Sequence, residues 1–316
     1  MNPLKIAAGL IHRPTGIVGR HRPLYLLNLA DRLRGPRTLA GAVGGRTVLI
    51  TGASSGIGEA AALEIGRAGG EVLLVARRGE RLEDLRARIA ELGGVARAYP
   101  CDLADAEAAD RLTVEVLARH GHVDVLVNNA GRSIRRSIDL SYDRAHDFER
   151  TMQLNYMAAV RLMLAFLPGM RERGRGQVIN VSSAGVQTRV PRFSAYIASK
   201  AALDAFSECV AGEVAHDGVK ITTLHMPLVR TPMIEPTAVY RQMPSISPEQ
   251  AAEWVAKAIV HRPSRIGTFY SEAAAIAGTL TPAWAELARN AGYRLSPDSR
   301  PADQEAGAPS ESPEAK

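Results

Sequence analysis

Cysteine is nearly absent. Cys101 and Cys209 are the only two among 316 residues, and no Cys-x-x-Cys pair exists. That excludes a disulfide framework, a zinc ribbon and a thioredoxin-like redox centre. A reducing compartment suits such a chain better than secretion. The eight histidines show no metal-ligand spacing, so no metal is expected. No apolar run approaches the roughly 18 residues that span a bilayer. The first run, residues 6–11, ends at His12, Arg13 and Pro14, too short for a secretory signal. The body of the chain also lacks net charge. Within residues 1–45, Lys5, Arg13, Arg20, Arg22, Arg32, Arg34 and Arg37 face only Asp31, which accounts for the whole excess of +6. A nucleic-acid binder needs its basic stripe on the folded surface beside a reading motif. Neither is visible, so no nucleic-acid partner is expected.

What is present is ordinary globular composition, 46% hydrophobic and 23% charged residues, which rules out a wholly disordered chain. Residues 1–44 form a basic, partly apolar extension broken by Pro14, Gly16, Gly19 and Pro23. It reads either as a loosely packed extension or as a membrane-surface anchor. Residues 296–316, rich in Pro, Ser, Ala and Glu, are expected to be disordered. Between these ends, β-rich runs at 47–51, 71–75, 95–100, 123–127, 177–181, 220–224 and 268–270 alternate with helical patterns. The helical segments are 58–68, 80–92, 105–119, 144–173, 195–215 and 248–261. Such alternation predicts an α/β fold, a doubly wound parallel sheet of about seven strands with helices on both faces, in one domain. The strands are nearly all apolar, as in a sheet covered on both sides.

The first strand runs into Thr51-Gly52-Ala53-Ser54-Ser55-Gly56-Ile57-Gly58, and a helix follows at once. Glycines at a strand-to-helix turn let the backbone approach a pyrophosphate, whose charge sits on the helix N-terminus. The spacing is G-x-x-x-G-x-G, without the Lys-Ser/Thr of a P-loop. The second strand ends at Arg77-Arg78, with no acid before Glu80. An acid there would bond a ribose 2′-hydroxyl, whereas an arginine suits a 2′-phosphate. Arg77 therefore favours NADP(H), the alternative being a charge pair that only caps the strand. Asp102, ending the third strand, sits where it can bond the adenine amino group.

Tyr196 and Lys200 are four apart on a long helical pattern and share one face. Ser183 precedes Tyr196 by thirteen residues, at the end of a strand. A free tyrosine titrates near pH ~10 and is a poor acid or base at neutrality. A nearby ammonium lowers that value, and a serine hydroxyl can bond the reacting oxygen. Cys101 and Cys209 read as small hydrophobes, not nucleophiles.

With Asn128-Asn129-Ala130-Gly131 and Asn155 added to the glycine turn, Ser183, Tyr196 and Lys200, the sequence resembles the short-chain dehydrogenase/reductase family over about residues 45–270. The resemblance implies a Rossmann-type catalytic domain. It assigns Asn155, Ser183, Tyr196 and Lys200 to catalysis, with Asn155 holding a relay water. It assigns Gly52, Ser54, Ser55, Gly56, Ile57, Gly58, Arg77, Asp102, Asn129, Tyr196, Lys200 and Thr231 to the cofactor, NADPH. It also implies a homodimer or homotetramer through the 195–215 helix, which is apolar nearly all round. One departure is Pro227-Leu228, where the family often has Pro-Gly. The stretches 128–136, 146–156 and 225–237 resemble, more narrowly, bacterial fatty acyl-CoA reductases of this superfamily. These reduce long-chain acyl-CoA to aldehyde. The other reading is a carbonyl reductase or alcohol dehydrogenase on a lipid-like ketone, aldehyde or alcohol; a catalytically silent NADP(H)-binding scaffold is a third, opposed by the intact Ser183, Tyr196 and Lys200. Arg132, Arg135, Arg136, Arg189 and Arg192 are candidates for the CoA phosphates, or else solvated surface charges. Residues 271–295 are expected to form a helical cover over the substrate. An amphiphilic substrate and the basic leader together imply a cytoplasmic protein with peripheral membrane contact.

Overall fold

The computed structural model describes residues 38–235, 240 and 243–295. The 296–316 tail and most of the 1–44 extension lie outside them. Thr38 caps α1 (Leu39–Val43), its hydroxyl accepting from the Gly41 N–H. Ala42 and Val43 are fully packed into the core. The last residues of the expected extension thus belong to the folded body.

There follow β1 (Thr47–Thr51), α2 (Gly56–Arg67), β2 (Glu71–Ala76), α3 (Gly79–Glu91), β3 (Val95–Pro100), α4 (Ala106–His120) and β4 (Val125–Asn128). Then come α5 (Ala145–Met152), α6 (Ala158–Glu172), β5 (Gly176–Ser183), α7 (Ala184–Thr188), α8 (Ser194–Val214), β6 (Val219–Met226), α9 (Pro248–His261), β7 (Arg265–Ile266), α10 (Phe269–Leu280) and α11 (Pro282–Leu295). The seven strands form one sheet in the order β3-β2-β1-β4-β5-β6-β7, and every pairing is parallel.

Strand side chains alternate between faces. Val48, Ile50, Val72 and Leu74 join a core with Ile65 of α2, Leu85 of α3 and Val255 of α9. Leu49, Leu73 and Val75 join a second core with Val116 of α4, Met163 of α6 and Val214 of α8. The sheet is therefore buried on both faces. Its strand order reverses between β1 and β4, and a parallel sheet opens a crevice at the C-terminal ends of such neighbours.

Three elements differ from expectation. The seventh strand lies at Arg265–Ile266, not 268–270. Thr268, despite its β-rich neighbours, accepts the Ser271 N–H at 3.3 Å and starts a helix with a reciprocal capping box. The single helix expected over 144–173 is interrupted by a π turn, Gln153–Met157. The helix expected to be apolar all round, α8, buries one side through Leu203, Ser207 and Val214. Ala198, Ala205 and Cys209 on it are exposed.

Candidate active site

The crevice holds a cavity of about 660 Å³ at the C-terminal ends of the central strands. It brings together Gly52, Ser54, Ser55, Gly56, Ile57, Arg77, Asp102, Asn129, Ser183, Tyr196, Lys200 and Thr231, all on its wall. The glycine turn is built for close approach. Gly52 has φ +66, and a Cβ there would stand 2.9 Å from Asn129 Nδ2 and 3.0 Å from Ala130 Cα. Gly58 lies behind the wall, where a Cβ would collide with the Gly52 carbonyl oxygen. Strand and helix can touch there only without a side chain. Thr51 ties the two strand ends together: its hydroxyl accepts from the N–H groups of Asn129 and Ala130, both at 2.9 Å. Asn128 Nδ2 donates to Asn180 Oδ1 at 2.8 Å, which secures β4 to β5.

At the outer end, Arg77 is exposed and makes no ion pair among the described residues. Arg78 instead folds onto the glycine turn, donating to Ser54 Oγ at 3.1 Å. The sequence reading assigned Arg77 to the cofactor and gave Arg78 no role of its own. Asp102 Oδ1 accepts from the Ala104 N–H. Cys101, also on the wall, has its thiol pushed up to about 11 by burial, which leaves it unreactive at neutral pH.

At the inner end, β5 delivers Ser183, whose hydroxyl caps α7 by accepting the Gly185 N–H at 3.0 Å. One face of α8 presents Tyr196 and Lys200. Burial pushes the Tyr196 phenol above its ordinary value; a hydrogen bond with Ser183 pulls it down and the Asp204 carboxylate pushes it up. The expected lowering by Lys200 is not what this geometry gives, because Lys200 Nζ turns to the Val181 carbonyl oxygen at 2.7 Å. Burial brings the Lys200 ammonium down to about 8, with Asp204 acting in the opposite direction. Asn155 is not on the cavity wall. It sits in the π turn, accepts from the Arg132 N–H at 2.8 Å, and donates to the Arg132 carbonyl and to Ser199 Oγ, each at 2.9 Å. A Cβ on Gly131 would stand 3.1 Å from Asn155 Oδ1 and 3.5 Å from Lys200 Nζ, so both side chains lie against that glycine.

None of the five candidate substrate arginines lines the cavity. Arg136 lies 3.4 Å from the buried Asp147, which Arg144 and Arg150 also contact. Arg192 donates to the Tyr293 carbonyl at 3.1 Å, with its guanidinium 4.1 Å from that ring centre. Tyr293 in turn donates to Asp139 at 3.0 Å, so α11 is tied through Tyr293 both to Arg192, in the loop before α8, and to the segment after β4. The Arg135 charge acts on the Tyr240 phenol. Arg132 and Arg189 make no ion pair among the described residues, and Arg189 is exposed. An apolar and aromatic part of the wall was missed by sequence reading: Val190, Phe193, Met233, Ile234, Tyr240 and Met243. Phe193 and Tyr240 stack at 6.3 Å. No short motif marks these positions.

A dinucleotide-type crevice with a Ser, Tyr and Lys at its inner end defines a class, and the comparisons agree with it. The family model for short chain dehydrogenases matches residues 46–240. The chain belongs to the short-chain dehydrogenase/reductase family and is an oxidoreductase of that family. It is 53% identical to a fatty acyl-CoA reductase of Acinetobacter baylyi over 81% of this chain and 87% of the relative. It is equally identical to an uncharacterized oxidoreductase of Mycobacterium tuberculosis, over 94% of this chain and 87% of the relative. A short-chain dehydrogenase of Streptomyces avermitilis superposes with a TM-score of 0.66 at 35% identity, covering 80% of this chain and 98% of its own. A metagenomic short-chain oxidoreductase solved in complex with NADP gives 0.61 at 31% identity, covering 69% and 92%.

Proposed function

We propose that the chain reduces long-chain fatty acyl-CoA to fatty aldehyde with NADPH and releases CoA. The observation that carries this reading is the 53% identity to a fatty acyl-CoA reductase over most of both chains. The apolar half of the cavity supports it. The residues fit the cofactor. The side-chain-free turn at Gly52 opens the N-terminus of α2 to a pyrophosphate, and Arg77 offers an unpaired cation to a 2′-phosphate. Gly52, Ser54, Ser55, Gly56 and Ile57 would hold the phosphates, Asp102 the adenine, and Asn129, Thr231, Tyr196 and Lys200 the nicotinamide half. NADPH bound there supplies the hydride.

The other tasks fall to the chain's own side chains. Ser183 and Tyr196 donate to the thioester carbonyl oxygen and stabilise the negative charge that develops on it. Tyr196 then gives that oxygen its proton; burial keeps the phenol loaded at neutral pH. As the C–S bond breaks, CoA leaves as a thiolate, the hydroxyl proton returns to Tyr196 and the aldehyde remains. Lys200, on the same face of α8 as Tyr196, holds the nicotinamide ribose, and Asn155 holds the relay water behind it. No protein thiol is needed. Arg132 and Arg189, which make no ion pair among the described residues, are the cations offered to the CoA phosphates, with Arg135 as a third. Arg136 and Arg192 shape the loops that carry these groups. The same reading makes the protein a cytoplasmic homo-oligomer with peripheral membrane contact.

The test is NADPH oxidation with palmitoyl-CoA alongside a panel of ketones and aldehydes, with free thiol measured in parallel. One thiol released per NADPH oxidised is expected. Turnover of a ketone without any thiol release from the thioester would replace this reading with carbonyl reduction.

A further inference from the structure

Behind Lys200 lies a buried pair that the chemistry above does not use. Asp204 follows Lys200 by one turn of α8, so the two share a helix face. His225, near the end of β6, donates from Nε2 to Asp204 Oδ2 at 2.7 Å. Both side chains are shielded, 6% exposed for His225 and 13% for Asp204. The second oxygen of the carboxylate, Oδ1, and the second ring nitrogen, Nδ1, have no hydrogen-bond partner among the described residues. An ionised carboxylate with one oxygen unmatched is costly to bury unless a cation stands near it. The nearest on its own helix face is the ammonium of Lys200, itself 4% exposed and bonded to the Val181 carbonyl. Asn155, which approaches Gly131 from the same side as that ammonium, and the phenol of Tyr196, which burial keeps protonated, bring no negative charge to it. Among the described residues, Asp204 is the one charge that acts on both Tyr196 and Lys200.

We propose that Asp204, clamped by His225, is the counter-charge of Lys200, a positioning residue that fixes the lysine's cationic state. The clamp matters because a free aspartate would turn toward water, whereas the imidazole holds this one inward. A buried ammonium with no counter-charge would shed its proton close to neutrality. The geometry thus couples a residue on β6 to proton transfer at the other end of the same helix turn. The roles of Tyr196 and Lys200 come from the functional reading above, but the electrostatic coupling is measurable without any substrate.

The chain has five lysines, Lys5, Lys200, Lys220, Lys257 and Lys316, few enough to titrate singly by NMR with ε-carbon labelling. Loss of one signal in Lys200→Arg assigns Lys200. In the full chain it should titrate well below the other four. Asp204→Asn, which keeps the shape and removes the charge, should lower its midpoint by roughly a further pH unit, the scale of one close charge. Asp204→Glu should restore most of the shift, and His225→Gln should reproduce part of it. In activity, the alkaline limb of kcat/KM should move by the same amount with Asp204→Asn. An unmoved Lys200 midpoint in both Asp204→Asn and His225→Gln would overturn the proposal. Should Asp204→Asn fail to fold, an unmoved midpoint in His225→Gln overturns it alone. Failure to reduce acyl-CoA would overturn the functional reading and leave this result standing.

Discussion

At the scale of single residues, the proposed chemistry divides proton donor from charge. Tyr196→Phe removes one hydroxyl and nothing else, so turnover should fall at least about a hundredfold, the usual worth of a placed acid. NADPH binding, followed by its fluorescence, should stay near the wild-type level. Lys200→Ala should damage both, since the lysine is also assigned to the nicotinamide ribose. The pH dependence has a fixed sign. Lys200 must be cationic, and burial brings it down to about 8; activity should hold below that pH and decline above it. Tyr196 is held above its ordinary value, so the alkaline limb in a pH–rate profile belongs to the lysine. At the cofactor's other end, Arg77→Asp should reverse the preference from NADPH to NADH. A lost charge-assisted bond is worth about 1.5–3 kcal/mol, roughly ten- to hundredfold in the ratio of the two KM values. Motifs of close spacing made these residues legible: a turn of glycines, a serine at a strand end, a tyrosine and lysine one turn apart. The arginines were less so. Arg192 and Tyr293 are 101 positions apart and Tyr293 and Asp139 are 154, and no local pattern tells a cation meant for a ligand from one meant for a helix.

At the scale of elements, strands were legible because a doubly covered sheet writes itself as short apolar runs. Their ends were not. Thr-Phe-Tyr reads as strand at 268–270, yet the hydroxyl of Thr268 captures Ser271 and turns the chain into α10. The π turn is invisible in the same way: the residues 144–173 keep a helical period through it, and only tertiary packing shows the extra residue that carries Asn155 behind Gly131. Such insertions gather at functional sites. The outer side of α8 is the element with most left to explain. Ala198 and Ala205 are small and exposed there, and the nearby helices show Leu164 of α6 at 62% exposure and Val114 of α4 at 69%. Small residues let helices approach closely, so a second copy packed on this side would bury them. Light scattering at micromolar concentration should give a dimer or tetramer. Leu164→Glu, which puts a charge on that surface, should shift the population toward monomer and leave the NADPH site intact; a monodisperse wild-type monomer would refute the interface.

At the scale of the whole molecule, the surface is uneven in a way that composition hides. α11 buries no residue, and α10 buries only Ser271. Together they expose Phe269, Ile276, Leu280 at 75%, Trp284 at 73% and Leu287. Tyr270, at the start of α10, lines the cavity, so the apolar hairpin adjoins the mouth through which a lipid-like substrate would pass. No helix among the described residues is long and apolar enough to cross a membrane; contact would be with the bilayer surface. Two forces are then available. The basic residues of the leader attract anionic lipid, at about 1 kcal/mol each near the surface, and salt screens them. The hairpin contributes apolar burial, which salt does not screen. Full-length protein should therefore sediment with phosphatidylglycerol vesicles, weakly at high salt and more strongly at low salt. Deleting residues 1–37 should remove the salt-sensitive part and spare NADPH binding. The cut must stop short of Thr38, because Ala42 and Val43 of α1 are core residues. Leu280→Glu with Trp284→Glu should remove the salt-insensitive part, again with NADPH binding unchanged. Because the two variants act on different forces, combining them should bring sedimentation down to the level seen with uncharged vesicles at high salt. Truncated and hairpin-substituted proteins that bind anionic vesicles as well as the full chain does would leave the leader a mere extension and the hairpin a surface for another protein.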